Sequence, residues 1–269
     1  MSALVNGSGA TVVRVADRDL EAVRPKVAVD TVLFAIEGGR LKCYLVQLHL
    51  GTAAGKWAFP GGLVRVGETL DEAARRELDD AAGLRDLYLE QLFSFGDPSR
   101  DPGAHVVSVS YMGLIADIGA AKLSSGASRG ERASGERPSK LNGTSAAADA
   151  VMGKDTPQKY VDGQWFEVGT LPSLAYDHSV IADYAVQRLR SKLIYTDIAR
   201  NLVPPTFTLA ELREIYQTVL ERGVDRRNFH RRVNAMGLLK RLPEKRRGAH
   251  RPATLYAFRE RSDEVYEMI

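Results

Sequence analysis

The chain has 269 residues, of which 44% are hydrophobic and 26% are charged, and its formal net charge is +3. No apolar run is long enough to cross a bilayer, and the first residues lack the basic start and sustained apolar core of a secretory signal. A single cysteine, Cys43, excludes an internal disulfide framework and a cysteine-based zinc cluster. We therefore expect a cytoplasmic protein with more than one domain and no membrane partner.

Positive charge is concentrated in the last quarter of the chain. Residues 204–261 contain 14 Lys and Arg against 6 Asp and Glu, whereas residues 1–203 contain 23 against 25. This asymmetry predicts a near-neutral domain joined to a basic domain that faces a polyanion.

The first part of the chain is predicted to form a mixed sheet with a helix packed on it. After an N-terminal tail of residues 1–25, a hairpin is predicted from KVAVDTVLFAI and LKCYLVQLHL, with EGG as its turn. Further strands are predicted at LYLEQLFSF, HVVSVSYMGLIADI and KYVDGQWFEV. These elements indicate an α/β domain.

A helix is predicted between the second and third of these strands, in the segment GGLVRVGETLDEAARRELDDAAGL. Thr69 and Glu72 have the spacing of a capping box, and Gly83 is a natural C-terminal stop. Apolar residues recur at helical spacing on one side, while the other side carries charge. By itself this pattern is typical of an amphipathic surface helix.

The order of residues in this segment resembles the Nudix box. Seven positions fall in register with it, namely Gly62, Glu68, Arg76, Glu77, Leu78, Gly83 and Leu84. The resemblance implies hydrolysis of nucleoside diphosphate derivatives by Mg²⁺ or Mn²⁺ held on carboxylates one helical turn apart. The Glu pair of the box is replaced here by Asp80 and Ala81. We therefore expect Glu77 and Asp80 to hold at most a weakly bound ion, no required cofactor, and weak or absent hydrolysis.

A long segment before the last predicted strand has a composition typical of disorder. Residues 119–157 are rich in Gly, Ser and Ala and almost free of aromatic residues. Such a segment buries too little apolar surface to offset the entropy of ordering it. We predict a disordered loop insertion within a domain of residues 26–175.

The C-terminal part is predicted to contain a linker helix and a helix-turn-helix. A linker of residues 176–203 carries the helix DHSVIADYAVQRLRSKLIYTDIA. In residues 204–269, Thr208 and Glu211 form a second capping box, Gly223 is predicted to end that helix, and Asp225 is predicted to cap the next. The segments LLKRL and ATLYAF then predict a hairpin that serves as a wing.

The second of these C-terminal helices is predicted to enter the major groove of DNA. Three apolar residues at i, i+4 and i+7 are expected to face the core: Phe229, Val233 and Met236. Arginine and asparagine occupy the opposite side, and these side chains bind base edges and phosphates. The alternative is a small basic domain with solvated arginines. The predicted DNA-binding residues are Arg226, Arg227, His230, Arg231, Asn234, Lys240, Arg241, Lys245, Arg246, Arg247 and Arg251.

Together these segments resemble the NrtR family of Nudix-related transcriptional regulators. The resemblance is carried by GKWAFPGGLVRVGETLDEAARREL, FGDPSRDPGAHVVSVSY, LPSLAYDHSVIADYAVQRLR, FTLAELREIYQTVLERGVDRRNFHRRV and RPATLYAF. It implies a Nudix α/β/α sandwich with a mixed sheet, followed by a winged helix-turn-helix domain. It also implies a homodimeric repressor of genes for NAD biosynthesis or salvage, bound to double-stranded operator DNA, with ADP-ribose or a related metabolite as effector.

The same resemblance implies an effector site. Its expected members are Trp57, Phe59, Gly61, Gly62, Arg65, Glu77, Arg100, Asp101 and His105. Trp57 and Phe59 are equally interpretable as core residues. The segment RDPGAH departs from the family's Arg-Asp-Pro-Arg-Gly-Arg pattern, so His105 replaces an expected arginine only in part. For His178 we favour a helix cap over a role in relaying pocket occupancy.

One alternative function follows from the Nudix box itself. The chain would then be an active ADP-ribose pyrophosphatase whose C-terminal domain binds nucleic acid only as an auxiliary. Ala81 argues against this alternative, because an alanine side chain cannot coordinate a metal ion. A pure protein-interaction module leaves the arginine and asparagine face of the last helix unexplained.

Overall fold

A computed structural model describes residues 4–5, 11–12, 24–120, 159–246 and 252–260 of the chain. Near the N-terminus, the short strands β1 (Leu4–Val5) and β2 (Thr11–Val12) pair antiparallel. Most of the predicted tail and insertion lie outside the described residues, as do Arg247 and Arg251. In the described residues, no helix is long and apolar enough to span a membrane.

The central element is a seven-stranded mixed sheet. Its strands are β3 (Lys26–Glu37), β4 (Arg40–Leu48), β5 (Trp57–Ala58), β6 (Gly61–Leu63), β7 (Tyr88–Phe95), β8 (Val106–Leu114) and β9 (Tyr160–Glu167). Five of them follow the order β5-β4-β3-β8-β7, while β6 pairs with β3 and β9 pairs with β4. Only the β3–β8 pair is parallel among these pairings. The predicted mixed sheet is confirmed, and β5 and β6 are additional short strands in what the sequence indicated only as a connection.

Helices cover both faces of this sheet because the side chains of β3 are apolar on both sides. Val32 and Phe34 point to the face covered by α2 (His178–Tyr195), whereas Leu33 and Ala35 point to the face covered by α1 (Leu70–Ala82). Successive residues of a strand face opposite sides, so a strand buried on both faces has a continuous apolar run. The predicted α/β/α sandwich is therefore confirmed.

The helix of the Nudix box begins and ends where local chemistry predicts. Thr69 is the N-cap of α1 and forms a reciprocal capping box with Glu72. The helix ends at Gly83, which adopts a left-handed conformation with φ of 67°. This places Glu77 in the second turn, with its side chain facing the sheet.

The linker helix α2 corrects one sequence expectation. Its N-cap is Asp177, and no side chain caps its first turn. His178 is instead the first helical residue, buried between the helix and the sheet. The preference for His178 as a cap was therefore wrong.

The C-terminal part forms a winged helix, as predicted. Its elements are α3 (Leu209–Leu220), α4 (Arg226–Ala235), β10 (Leu239–Arg246) and β11 (Ala253–Phe258). Thr208 and Glu211 form the expected capping box, and Asp225 caps α4 by accepting a bond from the Asn228 amide. The prediction that Gly223 ends α3 was wrong, because Glu221 takes the left-handed C-cap position with φ of 50°.

One apolar core connects the sheet to the winged helix. It runs from Phe34 in β3 through Ile181 in α2 to Leu212 in α3 and Phe229 in α4. At the surface, the Thr218 hydroxyl donates to the Gly39 carbonyl in the β3–β4 turn at 3.2 Å. The sheet and α4 are therefore joined by continuously packed side chains.

Candidate effector and DNA sites

Two carboxylates of the Nudix box, Glu68 before α1 and Glu77 within it, are held by an arginine of α1. Arg76 donates two hydrogen bonds to Glu68, from Nε at 2.6 Å and from a terminal nitrogen at 2.9 Å. Its other terminal nitrogen donates to Glu77 Oε1 at 2.6 Å. A bidentate pair of this kind is strong and also geometrically specific, so it holds the carboxylate in one position.

Glu77 is almost completely buried and is also held by two residues at the start of β9. Lys159 Nζ lies 2.7 Å from Glu77 Oε2, and the Tyr160 hydroxyl lies 3.0 Å from the same atom. Both groups also contact the Gly61 carbonyl oxygen. Burial, reinforced by the nearby Glu77 charge, raises the pKa of Tyr160 well above its usual range, so its hydroxyl keeps its proton. Gly62 lies beside this cluster, where any Cβ would overlap it.

The box offers a divalent metal ion one carboxylate fewer than the full motif. Ala81, one turn after Glu77, is buried and supplies only its carbonyl oxygen, which accepts a bond from the Tyr44 hydroxyl at 3.1 Å. Desolvation and then the Glu77 carboxylate raise the pKa of Asp80, as expected for like charges close together. Over the described residues, no group of three or more His, Cys, Asp or Glu could hold a metal.

A second buried polar cluster joins the sheet to α2. Arg100 forms a fork on the Asp177 carboxylate, with hydrogen bonds of 3.0 and 2.7 Å, and lies 3.4 Å from Asp30 Oδ2. Ser108 donates to the same Asp30 oxygen at 2.5 Å. The other Asp30 oxygen lies 3.5 Å from His178 Nε2. The N-cap and the first residue of α2 are thus tied to the middle of β3.

Charge balance in this cluster keeps Asp30 ionised. Burial alone raises the pKa of its carboxyl, but His178, Ser108 and Arg100 outweigh that effect and lower the pKa to about 2. A buried carboxylate is stable only with such partners. Arg100, an expected effector contact, has a side chain that is 4% exposed and engaged with these two aspartates.

The two aromatic residues of the expected effector site differ in burial. Phe59 lies in the core, where its ring stacks on His178 at 5.1 Å and its amide donates to His178 Nδ1 at 3.0 Å. Trp57 is only partly buried and packs edge-on against Phe166 at 4.8 Å. Of the two aromatic rings, that of Trp57 is therefore the one accessible to a ligand.

The remaining expected effector residues lie around the same end of the sheet. Gly61 pairs with Asp30 across β6 and β3, and a Cβ there would overlap the Asp30 carboxylate. Arg65 and His105 are exposed, while Asp101 is partly buried and accepts a bond from the Gly103 amide at 2.8 Å.

The expected base-reading face of α4 is exposed. Arg226, Arg227, Arg231 and Asn234 all face solvent, and Arg231 donates to the Asn228 side chain at 3.0 Å. On the inner side, Phe229 and Val233 are buried and Met236 is partly buried.

His230 and the wing complete the basic surface. His230 is partly buried, and burial followed by the charges of Arg226 and Arg213 lowers its pKa. Four predicted DNA-binding residues of β10 are exposed: Lys240, Arg241, Lys245 and Arg246. Arg246 also pairs with Glu211 of the α3 capping box.

The structure adds site residues that the sequence analysis did not single out. Lys159 and Tyr160 follow a low-complexity segment and carry no motif, so no sequence signal identified them. Asp30 did leave a signal, because it is a charged residue within the apolar run of β3. Asp177 was noted only as the start of the linker helix.

Comparison with known proteins supports both the Nudix domain and the winged helix domain. A NUDIX domain model matches residues 24–129, and a model described as NrtR DNA-binding winged helix domain matches residues 199–258. The ADPR responsive transcriptional repressor NtrR of Acinetobacter baylyi is 28% identical over 236 residues, covering 87% of this chain and 82% of the relative. The ADP-ribose pyrophosphatase of Methanocaldococcus jannaschii is 30% identical over 172 residues, covering 62% and 79%.

A solved structure is similar over most of the chain. Shewanella oneidensis NrtR, crystallised with a 27mer DNA, superposes with a TM-score of 0.67 at 27% identity, covering 87% of this chain and 93% of the other. The order of the two domains agrees with these matches. The chain therefore belongs to the NrtR family, in which a NUDIX domain is followed by a DNA-binding winged helix domain.

Proposed function

We propose that this protein is a DNA-binding transcriptional repressor whose Nudix domain senses ADP-ribose or a related metabolite. The observation that carries the proposal is the exposed basic face of α4, which shares one apolar core with the Nudix sheet. The Acinetobacter relative is an ADPR responsive transcriptional repressor, which supports both the binding of DNA and the nature of the effector. The genes it would control are those of NAD metabolism, as the family resemblance implies.

The DNA half of the proposal follows from the geometry of the winged helix. A helix that buries one side and exposes arginine and asparagine on the other can lie in the major groove. The wing strand β10 adds lysines and arginines that neutralise phosphates. The α4 residues would then read bases, and the wing would set the position of the domain on the duplex.

The effector half requires a path from the Nudix domain to α4. The Arg100 and Asp30 cluster grips the start of α2, and the other end of α2 leads through the apolar core to α3. A ligand shifts such an equilibrium only by its differential affinity for the two states. We infer that ADP-ribose favours an arrangement of two protomers in which their α4 helices no longer match successive major grooves of the DNA.

Calorimetric titration of ADP-ribose with and without operator duplex tests this proposal. We expect operator DNA to weaken ADP-ribose binding, and ADP-ribose to weaken DNA binding by the same factor, because coupling is reciprocal. Typical coupling is about 5- to 150-fold. The DNA flanking the protein's own gene is the natural source of an operator. Equal affinities in the two titrations would remove the regulatory half of the proposal.

We further propose that the protein binds DNA as a two-fold homodimer. A single winged domain contacts too little DNA for operator-grade affinity, whereas two domains on a pseudopalindrome double the contact. Light scattering on the same protein–operator complex is expected to give two protomers for one duplex. One protomer for each duplex would contradict it.

The alternative function, an active ADP-ribose pyrophosphatase, is supported by the Methanocaldococcus relative and by the retained Glu68, Arg76 and Glu77. Against it, Ala81 supplies no carboxylate and Glu77 is already bound by two cationic side chains. We therefore propose that hydrolysis is absent or a weak residual activity.

We expect ADP-ribose hydrolysis with Mg²⁺ or Mn²⁺ to fall orders of magnitude below the ~10 s⁻¹ that is typical of enzymes. The reason is that fewer carboxylate oxygens are available to the ion than a two-carboxylate site supplies. Product release measured by chromatography checks the expectation. Ala81→Glu is the informative variant, because it restores the carboxylate that the box lacks. Turnover near the typical enzyme rate in the natural protein would instead favour the pyrophosphatase.

A further inference from the structure

Lys159 lies against the Nudix box although it is 82 residues away from Glu77 in the sequence. Its ammonium group bridges the Glu77 carboxylate, at 2.7 Å, and the Gly61 carbonyl oxygen. The Glu77 side chain is 4% exposed, whereas that of Lys159 is 45% exposed. The backbone at Lys159 is held by a bond from the His49 amide to its carbonyl oxygen, 3.0 Å long. The lysine therefore approaches the box from solvent with its charged end at a buried carboxylate.

The oxygen atoms around this ammonium are of the kind that bind a divalent cation. Mg²⁺ and similar ions prefer carboxylate and backbone carbonyl oxygens. The absence of a side chain at Gly62 keeps the position open, because a Cβ there would overlap both Lys159 Nζ and Glu77 Oε1. A lysine ammonium is a compact charge with three donors, so it can replace a small cation among such oxygens.

The side chains of this cluster that form ion pairs with one another balance in charge. The two carboxylates of Glu68 and Glu77 are matched by the two cations of Arg76 and Lys159. A divalent ion added to this set would be repelled by both side-chain cations. It would gain its carboxylate ligand only by breaking the pair of Lys159 with a buried partner, which is costly.

We propose that Lys159 is the built-in cation of the degenerate Nudix box. Its ammonium keeps Mg²⁺ and Mn²⁺ away from Glu77 and presents a positive charge to a pyrophosphate group at the box. The second half of this inference rests on the proposed function, in which an ADP-ribose-class effector binds the Nudix domain. Effector binding is then independent of divalent metal, and a change of metal concentration does not alter the response.

The first test measures Mn²⁺ binding by electron paramagnetic resonance in the full chain. Lys159→Met is expected to bind Mn²⁺ at least tenfold more tightly than the natural protein, and Lys159→Met combined with Glu77→Gln is expected to lose that gain. Lys42→Met is the matched control, since Lys42 pairs with Glu37 on the β3–β4 hairpin away from the box. Equal Mn²⁺ binding by the natural protein and Lys159→Met would overturn the inference.

The second test measures ADP-ribose affinity by calorimetry in Mg²⁺ and in EDTA. The natural protein is expected to bind equally in both, Lys159→Met to bind roughly tenfold more weakly in EDTA, and Lys159→Arg to stay close to the natural affinity. A requirement for Mg²⁺, or an unchanged affinity in Lys159→Met, would overturn the effector role of Lys159. If the natural protein binds no ADP-ribose in either buffer, the proposed function fails, while the Mn²⁺ result still decides whether Lys159 excludes metal.

Discussion

Replacing Arg231 with alanine is expected to weaken operator binding by about 1–3 kcal/mol, or roughly 5- to 150-fold, and to relax specificity at one base pair. The physical reason is that Arg231 lies on the exposed face of α4, where a bidentate contact to a base edge has no substitute after truncation. Arg231 donates a hydrogen bond to the Asn228 side chain at the surface, and it can readily exchange this bond for a contact with a base. Fluorescence anisotropy with the operator and with single-base variants measures both effects.

Arg246 provides a comparison with a different expected pattern. It lies on the wing strand β10, where we expect it to contact a phosphate rather than a base. Arg246→Ala is expected to weaken binding to all duplexes alike and to reduce the salt slope by about one. Arg85→Ala, an exposed arginine of the Nudix domain, is the control for loss of charge alone. If both α4 and wing variants bind like this control, α4 is not a recognition helix.

Replacing Arg100 with methionine is expected to lower the free energy of unfolding by about 3–5 kcal/mol. The substitution leaves two carboxylates, Asp30 and Asp177, without their shared cation in a cluster where the arginine is 4% exposed. Asp177 loses its fork of two hydrogen bonds, and Asp30 loses one of the groups that hold its pKa at about 2. Methionine fills similar volume, so the loss reflects charge rather than a cavity.

Thermal and urea unfolding of full-length variants measures this expectation. Arg40→Met is the matched control, since Arg40 forms a pair with Glu167 in which the two side chains are 63% and 35% exposed. A pair of that kind contributes about 0–1 kcal/mol. Adding Asp177→Asn to Arg100→Met is expected to restore part of the loss by removing one unpaired charge. An Arg100→Met variant as stable as the control would show that the cluster is not the anchor of α2.

The cluster around Arg100 is expected to affect regulation as well as stability. Arg100 and His178 connect the sheet to the first turn of α2, and α2 leads to the winged helix. A substitution here is therefore expected to change the coupling between ADP-ribose and DNA as well as the unfolding free energy. The calorimetric titrations described above separate the two effects, because a merely destabilised protein retains its coupling factor.

Features that depend on neighbours a few residues apart could be predicted from the order of residues alone. The capping boxes at Thr69 and Thr208 each close over three residues, so their geometry follows from the local order of side chains. The helical periodicity that buries Phe229 and exposes Arg231 is likewise a property of one helix. One local expectation failed because more than one residue could end α3, and Glu221 adopts the left-handed conformation before Gly223 is reached.

Which charged groups form pairs depends on how the chain folds. Lys159 and Glu77 are 82 residues apart, and Arg100 and Asp177 are 77 apart. No periodicity or spacing relates such positions, because strand order and helix packing bring them together. The sequence indicated that the box lacks a carboxylate at Ala81, but it did not indicate that a lysine approaches Glu77. A buried carboxylate must be paired, and its partner is chosen by what the fold places beside it.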